Sequence, residues 1–109
     1  MTMTVDAGYL KHFTSHLYRF FEEGHILKFS KMRKYVGKID WYEIDSVDGT
    51  ATVVLDHRYD ILPTIIHEFL HYKYPEWPEK DISEMEKAIV SKLSSRRVKN
   101  IIKKFADAL

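Results

Sequence analysis

His67, Glu68 and His71 form the pattern H-E-x-x-H. Residues four apart project from one face of a helix, so both imidazoles can reach a single ion at about 2.0–2.1 Å. Glu68, beside His67 and three residues before His71, can touch a water held by that ion, which is the start of a zinc hydrolase site. The chain has no cysteine, which excludes thiolate zinc sites, disulfides and cysteine nucleophiles. His, Asp and Glu remain as its strong metal ligands. Two histidines are one donor short, because a catalytic zinc usually has three protein ligands and leaves a fourth position to water.

A third histidine in the pattern H-E-x-x-H-x-x-G-x-x-H would need Gly at 74 and His at 77, but Tyr74 and Trp77 stand there. That excludes the metzincin arrangement and leaves a carboxylate from another element. With Ile82 at zero and about 100° per residue, Met85, Ile89 and Leu93 share one side, Glu86 falls near 40° and Glu84 near 200°. Glu86 therefore sits within an apolar face, where a carboxylate costs several kcal/mol unless a partner offsets the loss of water. Two readings stay open for it: third zinc ligand, or a residue that edges the stripe and pairs with a lysine or arginine.

These residues need elements to hold them. Tyr9, Leu10, Phe13, Leu17, Phe20 and Phe21 recur at three- and four-residue intervals, which predicts a helix over 5–23 ended by Gly24. Ile26, Leu27 and Phe29 predict a short strand. Residues 35–47 and 50–56 read as two β arms around Asp48-Gly49, a dipeptide suited to a tight hairpin turn. Pro63 fits only the first turn of a helix, so the pentad's helix should start near Asp60 or Leu62 and run to about Tyr74, closed by Pro75. Residues 76–80 read as a short rigid loop. Asp81 and Glu84 read as a capping box that opens the next helix, and Val98, Ile101, Ile102 and Phe105 keep helical spacing in a basic tail. The expected fold class is α+β: an N-terminal helix, a small, mostly antiparallel three-stranded sheet, the pentad's helix, a glutamate helix and a C-terminal helical tail, in one domain over 1–109.

The run Thr64-Ile65-Ile66-His67-Glu68-Phe69-Leu70-His71, then Pro75, then Ile82-Ser83-Glu84-Met85-Glu86, resembles the minigluzincins. These are very small archaeal-type zincins that resemble the catalytic core of gluzincin metallopeptidases. The resemblance is close over 64–86 and topological before residue 50. It implies a zincin-like fold, Zn2+ held by His67, His71 and Glu86, and Glu68 as general base. It also implies latency, with the C-terminal segment, 96–109, obstructing a cleft in a self-associated homodimer. The resemblance does not assign the oxyanion-stabilising Tyr or His of larger relatives to a residue of this chain.

The expected function is a zinc-dependent endopeptidase in which a metal-activated water attacks the peptide bond and Glu68 carries the proton to the leaving amine. The alternative is a non-catalytic zinc module that regulates or assembles. A peptide or protein substrate could add to the strand Thr50–Leu55 if that strand is a sheet edge; an ordinary edge strand is the plainer reading. His57 could be an oxyanion donor or a solvated loop residue. Tyr72 and Tyr74 could orient a ligand or simply pack. His12, His16 and His25 lack metal spacing and read as structural.

Three fates are open to the basic tail: packing on the core, binding phosphates through Arg96, Arg97, Lys99, Lys103 and Lys104, or entering a cleft. Charged residues are 30% of the chain yet sum to +1, so no global field draws it to nucleic acid or a membrane. No apolar stretch approaches about 20 residues and no signal peptide is recognisable. The expected location is the reducing cytoplasm.

Overall fold

The computed structural model describes residues 4–29, 37–40, 52–55 and 61–109, with side chains described at 4–25 and 61–109. Helix α1, Ala7–Glu22, opens where the Asp6 carboxylate accepts the Tyr9 amide at 2.8 Å. It closes at Gly24, whose φ of 82° is a left-handed conformation that glycine adopts without steric cost. Helix α2, Ile61–Lys73, has Pro63 in its first turn and carries the pentad. Helix α3 is Glu79–Lys92, and α4, Ser95–Ala108, is capped by Ser94 accepting from the Arg97 amide.

Where side chains are described, these four helices make up 80% of the residues, and neither strand nor sheet is present. This corrects the expected α+β class with its mostly antiparallel three-stranded sheet. The reason is physical: the residues that fill the described core lie at helical spacing, so each helix contributes a buried stripe to it. Phe13 and Phe20 of α1 meet Phe69 of α2 with ring centroids 5.3 Å apart in both pairs. Ile82 and Ile89 of α3 and Ile101 of α4 are fully buried in the same cluster.

Three four-residue segments, β1 (Ile26–Phe29), β2 (Gly37–Asp40) and β3 (Thr52–Leu55), are described as backbone alone. They pair in the order β1-β3-β2. β3 runs parallel to β1 and antiparallel to β2, so the pairing is mixed. β3 is also central. Both its ladder edges are used within the chain, which removes it as the docking edge expected for an extended substrate. The Asp48-Gly49 turn lies outside the described residues, as does His57.

The start of α3 is a second correction. Residues 79 and 80 are helical, not loop, and the cap residue offers no side-chain hydrogen bond. Pro78 occupies the cap position with φ −64° and ψ 154°, and its carbonyl accepts from the amides of Asp81 at 3.0 Å and Ile82 at 3.2 Å. The proline ring presets the φ needed there, so the helix opens before the Asp81–Glu84 pair can act as a capping box. Glu79 thereby becomes the first helical residue.

The tail is part of the core. Ile101 and Phe105 are buried, and the Phe105 ring meets Phe21 of α1 at 5.6 Å. Arg97 donates to Thr14 Oγ1 at 2.9 Å, and Lys92 Nζ donates to the Val5 carbonyl at 2.7 Å. Ile102, the other apolar residue of the turn, is on the exposed side. Among the described residues, no helix is long and apolar enough to cross a membrane.

Candidate metal centre

Helix α2 carries His67 and His71 one turn apart, with ring centroids 4.9 Å from one another. Helix α3 packs against α2 and brings two carboxylates to them. The first is Glu79: its Oε1 is 2.7 Å from His67 Nε2, and its Oε2 is 2.8 Å from His71 Nε2. The second is Glu86, whose Oε1 is 2.8 Å from His67 Nδ1, the opposite nitrogen of the same ring. Both glutamates reach α2 because seven residues are two helical turns, which puts them on one face of α3.

Of the residues expected to act together, His67 and His71 lie side by side and Glu86 meets one of them, while Glu79, which was not expected, meets both. Glu86 touches His67, but among the described residues the donor atoms that converge within 4.8 Å of one another are those of His67, His71 and Glu79. Glu79 was missed because 76–80 reads as a loop. The signal was present: Pro78 followed by two acids in the next three residues is a helix start. From that start the same phase argument that selected Glu86 puts Glu79 about 20° from it.

The donor chemistry fits a divalent cation of the zinc class. An ionised carboxylate only accepts hydrogen bonds, so each of the three nitrogen–oxygen contacts calls for a positive centre, either a ring proton or a bound ion. Two imidazoles and a carboxylate are a usual catalytic zinc set. Tetrahedral donors around zinc stand about 3.3 Å apart, so Glu79 must withdraw slightly to admit an ion. Its side chain can do so, being 64% exposed against 18% for His67. Glu68, the expected general base, is buried at 5% exposure.

The other sequence candidates belong to the packing. Tyr72 sits edge-on to Phe20 at 4.5 Å, within an aromatic cluster that includes Phe69, and burial pushes its hydroxyl pKa up. The Tyr74 hydroxyl is 3.0 Å from that of Tyr9, and the Tyr74 ring stacks on Trp77 at 3.9 Å. Burial and the Tyr74 contact push the Tyr9 hydroxyl strongly upward. His16 Nδ1 accepts from Lys73 Nζ at 2.7 Å, and His25 stacks on Phe20 at 4.1 Å. His12 lies beside His16 on the exposed side of α1.

Comparison of the chain with protein-family models, with curated proteins and with solved structures finds no match.

Proposed function

We propose that this protein holds zinc through His67, His71 and Glu79 and uses it to hydrolyse peptide bonds as an endopeptidase. The observation that carries the reading is the convergence of both Nε2 atoms on one carboxylate, on the face of a helix that also bears Glu68 in the H-E-x-x-H position. The likeness of residues 64–86 to the minigluzincins supports peptides as the substrate class. It had pointed to Glu86 as the third ligand; the position of Glu79 on both rings favours Glu79 for that role.

When bound, zinc supplies a Lewis acid that polarises a carbonyl and makes water acidic near neutral pH. The rest falls to the chain. His67 and His71 offer ring nitrogens from a rigid helix, so little reorganisation is needed to bind. Glu79 comes from the exposed side and neutralises part of the ion's charge. Glu68 accepts the proton of the attacking water and returns it to the departing amine, a role worth about 10²–10⁴ in rate.

The test is to strip the protein with a chelator, reload it with zinc and follow cleavage of casein. The parent should bind one zinc per chain and cleave in a chelator-sensitive manner. Glu68→Gln should keep the zinc and lose at least about 100-fold in cleavage rate. Cleavage that survives in Glu68→Gln defeats the peptidase reading. Zinc bound without any cleavage by the parent would favour the structural or regulatory module instead.

A further inference from the structure

We infer that Glu86 is a positioning residue for the metal centre, acting through His67, an inference that rests on the zinc reading above. His67 is gripped on both sides: Glu86 holds Nδ1 at 2.8 Å while Nε2 faces the group formed with His71 and Glu79. In a neutral imidazole one nitrogen carries a proton and the other a lone pair. Because a carboxylate can only accept, Glu86 keeps the proton on Nδ1 and so leaves the lone pair on Nε2, the atom that looks toward the convergent donors. It also fixes the rotation of the ring about its side-chain bonds. A carboxylate on the far nitrogen of a ligating histidine raises that ligand's basicity and orients it.

Burial separates the two glutamates in the same sense. Glu86 is 20% exposed, close to the 18% of His67, whereas Glu79 is 64% exposed. The more enclosed carboxylate is the one that touches a single ring, and the open one spans both. A residue that must let an ion in belongs on the open side, and one that only steers a ring can be enclosed. Glu84, on the same helix two residues earlier, is exposed and serves as the control.

The experiment measures zinc affinity by chelator competition in the full chain, together with the visible spectrum of the cobalt-substituted protein and the tautomer of His67 by nitrogen NMR. Glu86→Ala should weaken zinc about 10–100-fold, still bind one ion, keep the parent's cobalt coordination number, and lose the parent's preference for the proton on Nδ1. Glu86→Gln, whose amide oxygen still accepts from Nδ1, should recover most of the affinity and the tautomer. Glu79→Ala should abolish tight binding and change the cobalt spectrum, while Glu84→Ala should match the parent. The inference is overturned if Glu86→Ala behaves like Glu79→Ala, if Gln rescues no better than Ala, or if Glu86→Ala leaves affinity and tautomer unchanged. A parent that binds no zinc defeats the underlying metal reading as well, a result distinct from each of these.

Discussion

Single side chains in this protein are set by which atoms they face more than by their own identity. His67 and His16 are both helical imidazoles, yet one is held by carboxylates and the other by a lysine. His16 accepts from Lys73 Nζ, which requires a neutral ring nitrogen. Burial is the first cause that holds its pKa below 6.5, followed by the positive charges of Lys73 and Arg19; Glu23 opposes them and His12 adds to them. The unfolded chain therefore binds this proton more readily than the folded one. Linkage then makes the associated stability complete above about pH 6.5 and progressively lost as pH falls below it. Melting temperatures between pH 7.5 and 5.5 should fall further for the parent than for His16→Gln, which has no proton to gain. Parallel pH profiles for the two would refute this assignment.

At the scale of elements, the start of α3 and the seat of α4 decide most. Moving the first turn of α3 from Asp81 back to Glu79 turns a presumed loop carboxylate into a residue two turns before Glu86 on one face. α4 is amphipathic, with Ile101 and Phe105 inward and Lys99, Lys103 and Lys104 exposed. Lys104 lies over the Tyr18 ring at 5.0 Å, so one of these cations also covers apolar surface. Phe105 is 2% exposed, and truncating it to Ala should cost about 3–5 kcal/mol in urea unfolding. Lys99→Ala on the opposite side should stay within about 0.5 kcal/mol of the parent. A Phe105→Ala variant as stable as the parent would mean that α4 is an appendage, as expected of a detachable regulatory tail, and not part of the core.

For the whole molecule, the candidate metal centre draws its side chains from α2 and α3, so an ion bound there would stabilise the folded chain against the unfolded one. Zinc at 100 times its dissociation constant should add about 2.7 kcal/mol, read as a rise in melting temperature that a chelator reverses and that His67→Ala lacks. An unchanged melting curve would show that the centre does not bind zinc in the folded state. The sequence by itself determined the helical stripes of Phe13, Leu17 and Phe20, of Ile82, Met85 and Ile89, and of Ile101 and Phe105. It also determined that His67 and His71 share a face, because periodicity is a local property of a helix and survives without knowledge of its neighbours. It determined neither the mixed order of the strands nor the helical dominance of the core, since pairing partners and burial are chosen between segments distant in the chain. Only the tertiary structure decided which carboxylate spans both imidazoles. Phase places Glu79 and Glu86 on one side of α3, but the way that helix crosses α2 sets which of them meets two rings and which meets the back of one.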